Sequence, residues 1–178
     1  MPGQLPHVCG SDSYPSDECW QYLPLDNIWI KTSNIGRDFV RGASAYHPSL
    51  GIILSGGQGD EVTMTMNAQD FEALAPIPYL SGEHCVAAID ANTIFTTGLD
   101  IGDDESFMYY KDTGEWVPLP NMPSGRRFLG CGVVRGGTGQ AEVVAVGGFD
   151  ADDQILDTVE IFNTEDQTWR TGTSRTLI

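Results

Sequence analysis

Residues 142–169 read EVVAVGGFDADDQILDTVEIFNTEDQTW, and this stretch decides the fold. An apolar run ends in the pair Gly147-Gly148 and is followed by an acidic loop. Polar and apolar residues then alternate over 157–162, a period that is typical of a half-buried strand. A short polar turn leads to Trp169, which opens a further strand. The stretch therefore predicts three strands joined by a tight glycine turn and a short polar turn.

The same order of features recurs upstream, so residues 142–169 belong to one copy of a repeat. Each copy contains an aromatic anchor near its end. The four anchors are Trp29, Phe71, Trp116 and Trp169, which lie 42, 45 and 53 residues apart. Repeats of about 40 to 50 residues with four strands each are typical of the blades of a β-propeller. One such unit cannot bury both of its faces, whereas units packed face to face around an axis can.

We therefore predict an all-β fold, a β-propeller of four-stranded antiparallel blades. The first blade covers residues 1–34 and lacks its inner strand. The other predicted segments are 35–78 for blade two, 79–121 for blade three, 122–174 for blade four, and 175–178 for the start of a further inner strand or a closing strand.

The net charge of the chain is −16, from nine basic and 25 acidic residues. Binding to nucleic acid requires clustered Lys and Arg that displace counterions from phosphates, so this class of partner is excluded. No apolar run approaches the ~20 residues that span a membrane, so membrane insertion is excluded as well. A strongly acidic surface suits solubility, cations or a basic protein partner.

Four cysteines are present, and two of them flank the first glycine loop. Cys9 and Cys19 are expected at the facing ends of two adjacent antiparallel strands, where the separation suits a disulfide. If this bond forms, the protein is secreted, because disulfides persist in oxidising compartments; otherwise a cytoplasmic location is expected. Cys85 and Cys131 lie in apolar strands of two different repeats, and we expect them to be buried free thiols.

The repeat resembles the kelch family in four ordered marks: a double glycine, an aromatic residue after the third strand, a tryptophan anchor, and a proline-then-arginine segment before the inner strand. The matching residues are Gly56, Gly57, Gly147 and Gly148; Tyr22, Tyr110 and Phe162; Trp29, Trp116 and Trp169; and the segment from Pro123 to Arg127. The pattern departs from the family where Gly10-Ser11 and Thr97-Gly98 replace a double glycine and Phe71 replaces a tryptophan. Since kelch propellers close with more blades than this chain supplies, the resemblance implies part of a longer propeller or pairing with a second chain.

Acidic residues cluster in the loops between the second and third strands of the repeats. These residues are Asp60, Glu61, Asp103, Asp104, Asp152 and Asp153. Because strand direction alternates, these loops are expected on the same face as the loops that lead into the inner strands. The latter loops carry Arg41, Arg126 and Arg127. The kelch resemblance implies that this face binds a protein partner; the alternative is a set of ordinary solvated turns.

Calcium is the one metal that the acidic loops bring into question. Asp150, Asp152 and Asp153 offer oxygen ligands, but their loop lacks the glycine and the closing glutamate of an EF-hand. An ordinary acidic turn is therefore the favoured interpretation, and no cofactor is expected.

No catalytic motif accompanies the repeats. The sequence has no Cys/His cluster with zinc spacing, no nucleophile elbow and no phosphate loop. We therefore expect a non-catalytic propeller that binds a protein partner through its loop face. Two alternatives stay open: part of a carbohydrate-acting enzyme, similar to galactose oxidase or to a mutarotase, and a structural propeller that assembles with copies of itself.

Overall fold

The computed structural model describes residues 6–11, 16–57, 63–67, 70–79, 82–99, 104–137 and 139–173. Within these ranges the chain folds into fifteen β-strands and forms no helix. A helix that could cross a membrane is accordingly missing from this part of the chain. The strands are β1 His7–Cys9, β2 Glu18–Leu23, β3 Ile28–Asn34, β4 Ala43–His47, β5 Gly51–Ser55, β6 Thr63–Asn67, β7 Asp70–Ala73, β8 Cys85–Ala88, β9 Thr93–Leu99, β10 Glu105–Tyr110, β11 Glu115–Leu119, β12 Gly130–Arg135, β13 Ala141–Val146, β14 Val159–Asn163 and β15 Thr168–Thr171.

Consecutive strands pair antiparallel in four separate sheets, and each sheet corresponds to one repeat of the sequence. Blade one contains β1, β2 and β3 among the described residues. Blade two contains β4 to β7, blade three β8 to β11 and blade four β12 to β15, each sheet in chain order. The prediction of an all-β fold built of four-stranded antiparallel blades is thereby confirmed.

Alternation along each strand directs its side chains to two neighbouring blades. In β13, Val143 and Ala145 are fully buried, whereas Val144 and Val146 are only half-buried. Val143 packs with Phe95 of blade three, so its side of the sheet faces the preceding blade. Because successive side chains in a strand point to opposite faces, the opposite side of blade four faces away from blade three.

The interfaces between blades form the hydrophobic core. Between blades two and three, Ile53 packs with Ile94 and Tyr109. Between blades three and four, the ring centroids of Phe95 and Phe162 are 5.2 Å apart. Both interfaces bury apolar surface that a single sheet would leave in water, which is the main force holding the blades together.

Tryptophan anchors bind blades three and four to the blade that precedes each of them. Trp116 of β11 donates its indole N–H to the carbonyl oxygen of Ala75 in blade two, with 3.0 Å between nitrogen and oxygen. Trp169 of β15 donates in the same way to Pro120 in blade three, at 2.9 Å. Each acceptor lies four residues beyond the anchor of the preceding blade, Ala75 after Phe71 and Pro120 after Trp116. The indole therefore packs in the interface without leaving its N–H unpaired.

A glycine with a positive φ lies within one residue of the end of the strand before each acidic loop. These glycines are Gly10 (74°), Gly56 (66°), Gly98 (80°) and Gly147 (66°). Gly98 therefore occupies the first position of the glycine turn, and the match to the double glycine begins at Gly98 rather than at Thr97. A Cβ atom at Gly98 would lie 2.6 Å from a Leu129 methyl carbon and 2.9 Å from the Arg126 carbonyl oxygen, so only glycine fits.

Two disulfides are present in the structure. Cys9 of β1 is bonded to Cys19 of β2 at a directly opposed position, with Cα atoms 4.1 Å apart. Cys85 of β8 is bonded to Cys131 of β12, with Cα atoms 6.0 Å apart. The first bond agrees with the sequence prediction. The expectation that Cys85 and Cys131 are free thiols is wrong.

The error at Cys85 and Cys131 comes from one residue of register. Cys85 stands two residues after Glu83, whereas Cys131 stands three residues after Phe128, and both Glu83 and Phe128 are left-handed residues just before an inner strand. The two cysteines therefore point to opposite faces of their strands. Cys85 faces blade four and Cys131 faces blade three, so the two sulfurs meet in the interface.

Candidate protein-binding face

Three residues with a left-handed backbone precede the inner strands of blades two, three and four. Arg41 has a φ of 56°, Glu83 of 67° and Phe128 of 54°. None is glycine, and the left-handed region costs such residues roughly 1–2 kcal/mol each. The same strained geometry thus recurs in three blades, in the loop that leads into the inner strand.

These turns direct backbone amides toward the preceding blade. The amide of Arg41 donates to the carbonyl oxygen of Ser11 at 3.0 Å, that of Glu83 to Arg41 at 2.8 Å, and that of Phe128 to Glu83 at 2.7 Å. This row of hydrogen bonds crosses all four blades and offsets part of the backbone strain. It also places Arg41, Glu83 and Phe128 side by side on one face.

The Arg41 side chain contacts the side chains of the other two residues. The Arg41 Nη1 atom lies 2.6 Å from Glu83 Oε1, and the Arg41 guanidinium carbon lies 5.8 Å from the centroid of the Phe128 ring. The Phe128 ring is also met edge-on by Phe149, with centroids 6.1 Å apart. Phe128 nevertheless keeps 49% of its surface exposed. We call these residues the Arg41–Glu83–Phe128 cluster.

A hollow of about 260 Å³ lies beside the cluster. Its lining residues are Arg41, Gly42, Glu83, His84, Phe128 and Leu129. His84 is buried, and its Nε2 atom lies 3.1 Å from the hydroxyl of Ser55. Burial lowers the pKa of His84 to about 4, so its imidazole is neutral at pH 7. Its Nδ1 atom is buried without a hydrogen-bond partner in the described part of the chain.

In blade four, the loop that leads into the inner strand contacts the acidic loop between the second and third strands. The amide of Arg127 donates to the carbonyl oxygen of Phe149 at 3.0 Å, and the amide of Phe149 donates back at 2.9 Å. The Arg127 guanidinium forms an ion pair with Asp153, whose carboxylate is largely exposed. Asp152 is exposed beside it. The structure therefore joins Arg127 to Asp153, with Asp152 next to Asp153 in the same loop. The sequence predicted all three as binding-face residues.

Arg126 occupies a different environment from the one predicted for it. Its guanidinium is buried and donates from Nη1 to the carbonyl oxygens of Gly147 and Thr158, at 3.1 and 3.0 Å. Nη2 donates to the Glu160 carboxylate at 3.4 Å. Loss of hydration lowers the pKa of Arg126, and the charge of Glu160 partly opposes that shift. Arg126 therefore supports the glycine turn from below and does not reach the surface of the face.

The other predicted acidic residues divide into two groups. Asp104 is described, and its Oδ2 atom accepts a hydrogen bond from the Asn121 side chain at 3.2 Å. Asp60, Glu61 and Asp103 lie outside the described residues. Of the six predicted acidic residues, the structure therefore describes Asp152 and Asp153 in blade four and Asp104 in blade three.

The carboxylate of Asp150 is engaged within its own turn. Its Oδ1 atom accepts hydrogen bonds from the amides of Asp152 and Gln154, at 2.9 and 2.8 Å. Such a pattern is typical of an Asx turn. In the described ranges, no group of three or more His, Cys, Asp or Glu side chains is arranged to hold a metal ion.

Sequence reasoning missed Glu83 and Phe128, which complete the cluster around Arg41. A left-handed backbone at a residue other than glycine leaves little trace in sequence, because its stability comes from contacts with another blade. The one sequence feature that could have identified Glu83 and Phe128 is their position in the repeat. Both residues stand just before a run of small residues, as Arg41 does.

The fold and the face together define a class of protein. It is a repeat protein of antiparallel sheets, most of them four-stranded, and this arrangement is consistent with part of a β-propeller. The family model of the Kelch motif matches residues 127–176, and this match supports a kelch-repeat protein. A search of curated proteins found no match to the chain.

Proposed function

We propose that this chain is a non-catalytic kelch-type module that binds a protein partner through the face bearing the Arg41–Glu83–Phe128 cluster. One observation carries the proposal. A strained turn recurs at a non-glycine residue in three blades and gathers a guanidinium, a carboxylate and a half-exposed phenyl ring. Strain that is retained at one place in a fold is frequently tied to binding.

The chemistry of the cluster suits a protein partner. Aromatic and arginine side chains are enriched where protein interfaces gain most of their free energy. The Phe128 ring is held between Arg41 and Phe149, so little conformational freedom is lost when a partner covers it. The hollow beside the ring offers a place for one apolar side chain of the partner.

Charge favours a basic partner. The chain has a net charge of −16, and Asp152 and Asp153 are exposed beside Arg127 on the face. Complementary charge of this kind chiefly accelerates association and makes it sensitive to salt. We therefore expect binding to weaken as the ionic strength is raised.

The disulfides support an extracellular setting for this function. Structural disulfides persist in oxidising compartments and are rare in the cytosol. Both cysteine pairs of this chain are bonded in the structure. We therefore propose that the protein is secreted and meets its partner outside the cell.

The proposal is tested by affinity capture with immobilised protein and quantitative mass spectrometry of the retained proteins. Phe128→Ala removes the exposed ring from the cluster. Tyr46→Ala is the matched control. Tyr46 is an aromatic residue of similar exposure, 56% against 49% for Phe128, and it lies at the end of β4 that is farther along the chain from Arg41. Partners retained by the native chain and by Tyr46→Ala, and reduced about tenfold by Phe128→Ala, support the proposal. Equal retention by all three proteins contradicts it.

A further inference from the structure

The Cys85–Cys131 disulfide joins the two segments that carry Glu83 and Phe128 of the cluster. Cys85 follows Glu83 by two residues, and Cys131 follows Phe128 by three residues. The same two segments are also joined by a hydrogen bond, in which the Phe128 amide donates to the carbonyl oxygen of Glu83 at 2.7 Å. A covalent link between blades three and four therefore lies within three residues of two cluster residues.

The inner strands of blades three and four have little else to hold them in register. Among the described strands, β8 and β12 belong to separate sheets and share no ladder of backbone hydrogen bonds. The Cys9–Cys19 bond differs, because it joins β1 to β2, which already pair in one sheet. Loss of the Cys85–Cys131 bond should therefore act between blades, whereas loss of the Cys9–Cys19 bond should act within one blade.

The junction between blades two and three has an apolar pair where this disulfide stands. Two residues after its left-handed residue, blade two has Ala43 where blade three has Cys85. Three residues after its left-handed residue, blade three has Val86 where blade four has Cys131. Ala43 and Val86 pack in one apolar cluster. Apolar packing thus holds one inner-strand junction together, and the disulfide is an added constraint at the other.

We infer that the Cys85–Cys131 bond positions Glu83 and Phe128 for partner binding, and that reduction of this bond weakens the binding. The bond fixes the two segments relative to each other before a partner arrives, so less conformational freedom is lost when the complex forms. The binding part of this inference rests on the proposed function. The effect on the hydrogen bond between Phe128 and Glu83 does not, because it requires no partner.

The disulfide can be reached by a small dithiol. Both cysteines line a hollow of about 200 Å³. Cys131 is half-buried whereas Cys85 is 4% exposed, so a thiolate of the dithiol attacks the sulfur of Cys131. This attack forms a mixed disulfide, and Cys85 leaves as a thiolate that takes up a proton. The second thiolate of the dithiol then displaces Cys131, which also takes up a proton. The protein disulfide is reduced by two electrons, and the dithiol is oxidised to a disulfide.

The test uses a variant that replaces the disulfide by the apolar pair of the neighbouring junction. Cys85→Ala combined with Cys131→Val copies the pair Ala43 and Val86, so this variant should fold. The matched control combines Cys9→Ala with Cys19→Ala, which removes the other disulfide and leaves Cys85–Cys131 intact. Circular dichroism confirms that both double variants are folded, and the native chain with and without dithiothreitol repeats the comparison with no substitution.

Hydrogen exchange of single amides, followed by NMR, measures the positioning without a partner. The Phe128 amide bridges blades three and four, and the Glu83 amide, which donates to Arg41, bridges blades two and three. In the Cys85→Ala/Cys131→Val variant, exchange at Phe128 should be about tenfold faster and exchange at Glu83 unchanged. The Cys9→Ala/Cys19→Ala control should keep the native rate at Phe128. Equal rates at Phe128 in all three proteins, or equal acceleration at both amides, would overturn the inference.

Affinity capture measures the effect on binding, for the proteins that the native chain retains and Phe128→Ala does not. The Cys85→Ala/Cys131→Val variant should retain about tenfold less of them and should not respond to dithiothreitol. The native chain and the Cys9→Ala/Cys19→Ala control should fall to the same level after treatment with dithiothreitol, which is washed out without air before the extract is added.

The outcomes separate this inference from the proposed function. If Phe128→Ala retains everything that the native chain retains, the proposed function is wrong, the binding part of the inference is wrong with it, and hydrogen exchange decides the positioning part. If Phe128→Ala loses partners that the Cys85→Ala/Cys131→Val variant keeps at the native level, the proposed function stands and the inference is overturned.

Discussion

Arg126 and Glu160 form an ion pair that is closed off from solvent, with Nη2 and Oε1 3.4 Å apart and side chains 0% and 2% exposed. The other hydrogen bonds of Arg126 run from Nη1 and Nη2 to Gly147 and Thr158, and from Nε to the carbonyl oxygen of Ser124. The pair therefore joins the loop before the inner strand of blade four to the glycine turn and to β14. It therefore helps to fix the loop that carries Arg127 and Phe128 on the proposed binding face.

Removing one member of this pair should be strongly destabilising. Glu160→Ala leaves the guanidinium of Arg126 buried without its counter-charge, and we expect a loss of about 3–5 kcal/mol in the free energy of unfolding. Urea denaturation measures it. The control is Glu142→Ala, which breaks the more exposed pair with Arg170 and should cost about 1 kcal/mol or less. Similar losses in both variants would contradict the role assigned to Arg126.

Gly98→Ala should be far more harmful than Gly114→Ala. Both glycines have a positive φ, 80° and 72°, so both variants incur the left-handed cost of roughly 1–2 kcal/mol. Only at Gly98 would the new methyl group also collide, with Leu129 and with the carbonyl oxygen of Arg126. Thermal unfolding of the two variants gives the difference directly. Equal melting temperatures would show that the contact between blades three and four at Gly98 is wrongly described.

His84 should make the protein less stable in mild acid. Burial lowers the pKa of His84 from 6.5 to about 4, so the unfolded chain takes up a proton more readily than the folded chain. Its contribution is fully present above pH 6.5 and is lost as the pH falls toward 4, by up to about 3 kcal/mol. His47, whose pKa is lowered by burial and by Lys111, acts in the same direction.

The measurement for His84 is the unfolding free energy at pH 7 and at pH 5. The native chain should lose stability between the two values, and His84→Leu should lose less. A His84→Leu variant with the same pH dependence as the native chain would show that His84 does not titrate with folding.

The disulfides predict a specific mass pattern. Native protein denatured with an alkylating reagent should gain no adducts, and protein reduced beforehand should gain four, because all four cysteines are paired. The bonds close loops with sequence separations of 10 and 46 residues. On the chain-entropy view the two bonds stabilise the fold by about 3 and 4 kcal/mol, respectively. Loss of the Cys85–Cys131 bond in Cys131→Ala should therefore destabilise the protein more than loss of the Cys9–Cys19 bond in Cys19→Ala. Two adducts without reduction would contradict this pairing and would support the prediction that Cys85 and Cys131 are free thiols.

The sequence contained most of the fold and only part of the face. Period-two alternation and the anchors Trp116 and Trp169 depend on local spacing, so the strands and their order could be predicted. The bond between Cys85 and Cys131 could not, because it depends on a one-residue offset between two blades. The burial of Arg126 could not be predicted either. The sequence of a loop does not distinguish an arginine that faces solvent from one that binds the buried carbonyl oxygens of Gly147 and Thr158. Phe128 was missed because its left-handed backbone is stabilised by a hydrogen bond to Glu83 in another blade.

The salt dependence of partner binding offers a further check on the acidic face. Asp152→Asn and Asp153→Asn together remove two exposed negative charges beside Arg127. We expect slower association with a basic partner and a shallower dependence on salt, since both follow from long-range attraction. Surface plasmon resonance across ionic strengths gives both quantities. An unchanged association rate would contradict the proposal that the partner is attracted by these acidic residues.

The claim at the centre of this account is that the Arg41–Glu83–Phe128 cluster is where a protein partner binds. Hydroxyl-radical footprinting of the chain with and without a captured partner tests it most directly, because Phe128 and Tyr46 are both exposed aromatic targets. The account predicts that the partner protects Phe128 severalfold and leaves Tyr46 reactive. Unchanged reactivity of Phe128 in the complex, or protection of Tyr46 instead, would contradict it.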